Sequence, residues 1–285
     1  MIKIKLGIEL RYDIAPPGSD LIFNIHAAHT RQQMVTQENL QISQALIPQI
    51  HTDKATSNRY LRLSAAPGPL TVRYGATVAL HHHLAQPEQI SEIPVARLPM
   101  DVMGYVYPSR YCQSDQLHRL AVAEFGHLWQ GYGRVQAIQE WVQRRVKFTN
   151  NASNSNTSAL ETLRDGVGIC RDFAHLMIAL CRAVNIPARF TTGIDYGADP
   201  ALGPTDFHAY VEVYLGHRWY IFDPSGTAIP MGFVRFGTGR DAADVAYATI
   251  FGTVTSALPL ITVEALAAPH AVMPYACREA LSTDE

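Results

Sequence analysis

Cys170 opens an apolar run behind Gly166 and Gly168, His208 lies in an alternating run, and Asp223 stands before a proline. A thiol nucleophile needs a base to take its proton, and the base needs a carboxylate to orient it, so these three types in this order outline thiol catalysis. The setting of Cys170 favours it. Helix N-terminal amides and the helix dipole stabilise a thiolate, and cysteines so placed fall from about 8.5 to roughly 3.5–7.5. The preceding glycines permit tight turning into the helix and close approach of a substrate backbone. The amide of Cys170 is a natural oxyanion donor, and no second donor is identifiable. Cys112 and Cys181 read as small core hydrophobes. His175 reads as a core hydrogen-bonding group beside the site, Arg171 and Asp172 as a local ion pair, and Tyr210 and Trp219 as packing aromatics.

His208 and Asp223 permit a geometric test. Gly216-His217 reads as a two-residue hairpin turn, which sets Tyr214 opposite Trp219, Glu212 opposite Ile221 and Tyr210 opposite Asp223. Alternation then places His208, Tyr210 and Glu212 on the face that carries Trp219, Ile221 and Asp223. His208 is diagonal to Asp223, a separation of roughly 7–8 Å between β-carbons that the two side chains can close. Phe207, Ala209, Val211, Val213 and Leu215 form the opposite, apolar face.

The elements that must hold these residues follow from pattern. Strand-like runs cover Ile2 to Tyr12, Leu21 to Ala28, Tyr60 to Ser64 and Leu70 to Leu80, divided by Pro and Gly clusters, which predicts an N-terminal β-sandwich. A proline-bearing stretch with Pro94, Pro99 and Pro108 reads as a linker, dividing an N-terminal domain, 1–112, from a catalytic domain, 113–285. Helices are predicted from Ser114 or Asp115 to about Trp129, along the stripe Val135, Ile138, Trp141, Val142 and Val146, and over Ala159 to Arg164. Asn150 to Ser158 reads as a mobile loop. The helix from Cys170 is apolar nearly all round and therefore central, ending at Asn185 and Pro187. Strands follow at Ala188 to Ile194, Phe207 to Leu215 and Arg218 to Phe222, with a surface loop over Asp195 to Asp206. The fold class is α+β.

Composition bounds the function. The 285 residues carry 23 basic and 25 acidic side chains for a net charge of -2, with 47% hydrophobic residues, so bulk charge recruits neither nucleic acid nor an anionic membrane. No signal-peptide core or membrane-length apolar run is present, and the expected compartment is the cytoplasm. The four cysteines form neither a disulfide framework nor a Cys-x-x-Cys pair. Successive residues of His81-His82-His83 point to alternate faces of a strand, which reads as a solvated strand end rather than a metal clip.

The segments Gly168-Ile169-Cys170-Arg171-Asp172-Phe173-Ala174-His175-Leu176, Ile186-Pro187-Ala188-Arg189-Phe190, Asp206-Phe207-His208-Ala209-Tyr210-Val211-Glu212-Val213-Tyr214 and Trp219-Tyr220-Ile221-Phe222-Asp223-Pro224 together resemble the transglutaminase-like superfamily. The form resembled is the bacterial one that adds a β-rich N-terminal domain to a papain-like core of a central helix on an antiparallel sheet. The run from Gly239 to Val245 resembles the same subgroup; by pattern alone it is a glycine loop entering an acid-capped helix. The resemblance implies that Cys170 attacks a carboxamide, His208 shuttles the proton, and Asp223 orients His208. The thioester then passes to water or to an amine, and the substrate is a protein or peptide. Ile169 stands where valine is common and Ile194 where an aromatic is frequent. No Asp-rich calcium loop is visible and no cofactor is expected. Two other readings stay open: a zinc hydrolase using Cys170, His208 and Asp223 with His175, and a catalytically inert binding scaffold.

Overall fold

Alternation along the first strand, β1 (Ile2–Ile14), buries Ile4, Leu6, Ile8 and Leu10 on one face. The computed structural model describes residues 1–198, 201, 205–267 and 271–284. After β1 come β2 (Ser19–Phe23), β3 (Gln33–Ile42), β4 (Gln49–Thr52), β5 (Arg59–Ala65), β6 (Gly68–Leu80) and β7 (His83–Ala85). Helices α1 (Ser114–Phe125) and α2 (Tyr132–Arg145) follow, then β8 (Lys147–Phe148), α3 (Ala159–Asp165), β9 (Val167–Gly168) and α4 (Cys170–Ala183). The chain continues through β10 (Ala188–Asp195), β11 (His208–Leu215), β12 (Arg218–Phe222), β13 (Phe233–Gly239), β14 (Ala248–Phe251), β15 (Val254–Ser256), β16 (Leu260–Ala265) and β17 (Ala280–Ser282).

The β-rich N-terminal region holds two antiparallel sheets, ordered β15-β1-β6-β3, with β16 also on β1, and β14-β2-β5-β4. Their apolar residues form one core. Residues 248–265 thus complete the sheets of the first half, covering edges of β1 and β2 that an isolated N-terminal half would leave open to other chains. The run expected to continue to Ala28 leaves its ladder after Phe23, and the amides of Asn24 and Ala28 bond instead to the carbonyls of Tyr247 and Arg235.

The second half is a mixed α/β core with sheet order β12-β11-β10-β13. Helix α4 packs on one face through Ala209, Val211, Val213 and Leu215, with α1, α2 and α3 around it. The other face, including Tyr210 and Ile221, joins the core of the N-terminal sheets. Covered on both sides, β10 and β11 are buried at every position. That second face also buries Glu212 between Arg189 and Arg235, with Asp284 bridging the two arginines.

Three local expectations differ. Helix α1 stops at Phe125, because the chain turns at Gly126, and Trp129 is exposed. Phe207 precedes β11 and packs with the N-terminal core, stacked on Tyr247, rather than joining the face under α4. Residues 240–247 form bends and turns rather than a helix; Asp241 closes a turn, accepting hydrogen bonds from the amides of Tyr111 and Ala243 at 2.9 Å each. Among the described residues no helix is long and apolar enough to cross a membrane.

Candidate active site

Cys170 is the first residue of α4, after Ile169 in an extended conformation. Asp172 caps this end: its buried carboxylate accepts the Ile169 amide at 2.9 Å and pairs with Arg171 at 3.0 Å. The two glycines have separate local reasons. Gly166 ends α3 in the left-handed region at φ 67°, and a β-carbon on Gly168 would meet the Asp172 side chain at 2.8 Å. The close neighbour at Gly168 is therefore Asp172, not a substrate backbone. Because the Ile169 amide is committed to Asp172, it is not the second oxyanion donor.

The hairpin forms with the expected register. Gly216 and His217 both have positive φ, 53° and 66°, and Tyr214 pairs with Trp219 and Glu212 with Ile221. Positive φ at both central residues matches the right-handed twist of the flanking strands. The ladder ends at Val211 and Phe222, so Asp223 lies just beyond it. Asp223 is held by its own turn: one oxygen accepts Ser225 N at 3.0 Å and Ser225 Oγ at 2.6 Å, the other Ala228 N at 3.2 Å. From α2, Gln143 Nε2 donates to the Asp223 carbonyl at 3.1 Å.

These elements bring the three candidates together. His208 Nε2 lies 3.6 Å from Asp223 Oδ1, longer than a hydrogen bond. Cys170 and His208 line one cleft of about 430 Å³, and the Cys170 thiol points to the Phe207 carbonyl at 4.0 Å. Burial opposes charge on His208, yet Asp195, Cys170 and Asp223 together hold its pKa well above the ordinary value. Burial also penalises charge on Asp223, and the facing His208 together with the bonds from Ser225 and Ala228 outweighs it, leaving the carboxyl below its usual range.

Asp195 is the participant that pattern reading placed in a surface loop. It ends β10, is 2% exposed, accepts the Tyr210 hydroxyl at 2.7 Å, and lies 3.8 Å from His208 Nε2. Burial pushes its pKa up to about 7. The signal was its spacing of two from Gly193, but reading it required knowing that β10 pairs with β11.

The other candidates have structural settings. His175 is fully buried, stacked on Tyr111, and accepts the Ala242 amide at Nε2, 3.2 Å away. Cys112 and Cys181 are fully buried. Tyr210 and Trp219 pack against Phe233 and Arg189. Of the histidine run only His81 is exposed; burial pushes His82 down to about 4. Among the described residues no group of three or more His, Cys, Asp or Glu is arranged to hold a metal ion. The loop over Asn150 to Ser158 lines the cleft and is tied down, with Arg171 bonding Ser153 and Asn154 and Tyr111 bonding Ser155. Part of the interval from Asp195 to Asp206 lines the cleft too, while 199, 200 and 202–204 lie outside the described residues. Leu258 and Pro259 reach the cleft from between β15 and β16.

Comparison with known proteins gives this geometry a family. The model of the transglutaminase-like superfamily matches residues 123–224, and that of the bacterial transglutaminase N-terminal domain matches residues 2–101. A crystal structure from Cytophaga hutchinsonii, described as a candidate cysteine protease, is 35% identical with a TM-score of 0.91, covering 99% of this chain and 97% of its own. The chain belongs to the transglutaminase-like superfamily. Two curated relatives of this transglutaminase-like chain match over less. An uncharacterized protein of Mycobacterium leprae is 30% identical over 117 residues, 39% of this chain and 42% of that one. An uncharacterized protein of Mycobacterium tuberculosis is 28% identical over 109 residues, 34% of this chain and 35% of that one. The matches thus span less than half of these curated relatives. Fold and neighbours together suggest an enzyme of the transglutaminase-like kind.

Proposed function

We propose that the protein is a thiol-dependent hydrolase or acyltransferase acting on peptide or isopeptide amides, with Cys170 as nucleophile, His208 as acid and base, and Asp223 as orienter. One observation carries the reading: Cys170 and His208 line one cleft, and His208 Nε2 stands 3.6 Å from Asp223 Oδ1. In the proposed reaction His208 takes the thiol proton, and the Cys170 sulfur bonds to the amide carbon. The C–N bond then breaks, the leaving amine takes the proton from His208, and a thioester remains. Water or a second amine gives its proton to His208 and attacks the thioester, releasing acid or new amide and restoring the thiol. Water makes the protein a peptidase or amidase, and an amine makes it a transglutaminase.

The raised His208 pKa supports an imidazolium beside Cys170. The similarity to the Cytophaga hutchinsonii protein over nearly the whole chain supports protease-like chemistry. A zinc site needs donors converging on one point, and the interposed imidazole works against that here. The inert scaffold has no use for a buried carboxylate and a thiol on either hand of one histidine. With four free cysteines, we retain the cytoplasm as the proposed compartment.

The test is mass spectrometry of the Cys170 adduct after incubation with a peptide library and a competing amine. A Cys170-bound acyl group, absent in Cys170→Ala, is expected. Turnover of a peptide without any such adduct, or stoichiometric zinc with an unreactive thiol, overturns the reading.

A further inference from the structure

We propose that Asp195 is a second carboxylate for His208, sharing Nε2 with Asp223, and that the Tyr210 hydroxyl tunes its charge. This rests on the reading of His208 as the acid and base partner of Cys170. Asp195 then acts through His208 as a positioning residue.

The argument begins in the ladder. Gly193 pairs with His208 and Thr191 with Tyr210, so Asp195, two residues beyond Gly193, is diagonal to His208 on the same face. Gly193 has no side chain to stand between them. Asp195 Oδ1 accepts the Tyr210 hydroxyl at 2.7 Å, while its Oδ2 faces His208 Nε2 at 3.8 Å. Both Oδ2 and Nε2 are buried, and neither has a hydrogen-bond partner among the described residues. Asp223 Oδ1 approaches the same nitrogen at 3.6 Å. A lone orienting carboxylate would leave a second buried oxygen here unexplained, and an unsatisfied buried acceptor is destabilising. A protonated Nε2 supplies the shared donor.

Among the described residues the groups around Asp195 are few. Strand β11 presents His208 and Tyr210, the turn after β12 presents Asp223, and α4 presents Cys170. Strand β13 pairs Phe233 with Asp195, and its Arg235 is directed to Glu212 and Asp284 instead. The imidazolium is thus the cation that Asp195 faces. Burial sets the Asp195 carboxyl near neutrality, and the Tyr210 bond favours its ionised form. Below about pH 7 His208 is served by charged Asp223 with neutral Asp195. Above it both carboxylates are charged, and the imidazolium persists further into alkaline solution.

The experiment titrates His208 by long-range ¹H–¹⁵N correlation in the full chain, assigned with His208→Gln, alongside iodoacetamide alkylation of Cys170 against pH. Wild type is expected to show a minor inflection near pH 7 at His208, before its main midpoint. Asp195→Asn removes the inflection and lowers the midpoint by about 1–3 units, the range for loss of an opposite charge at this distance. Tyr210→Phe keeps the carboxylate, loses its donor, and moves the inflection to higher pH. An unchanged midpoint in folded Asp195→Asn overturns the proposal. So does an unmoved inflection in Tyr210→Phe, which decides the matter if Asp195→Asn does not fold. Failure of Cys170 to alkylate faster than Cys181 in wild type defeats the nucleophile reading instead, and the His208 titration still judges Asp195.

Discussion

Gly193 lies directly opposite His208 in the β10 and β11 ladder, so the imidazole meets no side chain across the strand. A bulge between Thr192 and Gly193 brings β13 against the same glycine: a β-carbon there would sit 2.0 Å from the Val234 carbonyl oxygen and 2.6 Å from the Phe233 ring. The obstruction is partly backbone, so it has little freedom to give way.

Gly193→Ala is therefore expected to destabilise the fold by about 1–3 kcal/mol or more. It also pushes β10 away from β13 and moves Asp195 relative to His208. A urea midpoint measurement checks the first effect, and a midpoint equal to wild type contradicts it.

The cysteines should separate by reactivity. Burial pushes Cys112 up to about 12 and raises Cys181 as well, and both are fully buried. At pH 7 a thiol like Cys112 is on the order of one part in 10⁵ thiolate, whereas Cys170 opens into the cleft. Brief iodoacetamide treatment of native protein is expected to label Cys170 and leave Cys112 and Cys181 unmodified; equal slow labelling speaks against the site.

Asp223→Asn keeps the side-chain volume and an oxygen for the Ser225 amide and hydroxyl, gives up the acceptor of the Ala228 amide, and removes the charge facing His208. On the amide substrate found by adduct trapping, kcat/KM is expected to fall roughly 10²–10⁴-fold, with a modest fall in melting temperature from the lost Ala228 bond. A loss below tenfold contradicts the assigned role.

Acid should unfold the protein partly through His26. Burial pushes this histidine, packed against Tyr74, down to about 4. Above about pH 6.5 it is neutral in both states and contributes nothing; below that the unfolded chain takes the proton and the folded one does not. Stability is lost as pH falls from about 6.5 to about 4, totalling about 3 kcal/mol. Glu38 titrates lower, its Arg59 bonds depressing it to about 2, so its contribution is lost in a more acidic window, from about 4.5 down to about 2. Urea midpoints at pH 7 and pH 4.5 should show a smaller acid loss in His26→Gln than in wild type.

Glu212 is fully buried between Arg189 and Arg235. Replacing it with alanine leaves two buried cations facing Asp284 alone, and a loss of about 3–5 kcal/mol is expected in denaturant unfolding. Arg189→Lys, which removes the forked guanidinium that bonds both Glu212 and Asp284, should also lower the denaturant midpoint.

The parts legible in the chain were those governed by neighbours in sequence. Gly216-His217 sets a two-residue turn, and that turn alone fixes which of Tyr214, Glu212 and Trp219 share a face. Cys170 at a helix start follows from the glycines and the apolar run behind it. Phe207 was misassigned because alternation does not say where a strand begins. The strands after residue 247 were missed as partners of β1 and β2 because their pairing spans nearly the whole chain.

By itself the sequence determined the helix that starts at Cys170, the hairpin register and the order of Cys170, His208 and Asp223, since short-range backbone geometry dictates each. The tertiary structure alone decided that Asp195 faces His208 and that Leu258 and Pro259 reach the cleft. Those contacts depend on which distant strands pair and which faces two cores cover, and burial across the whole molecule selects that pairing.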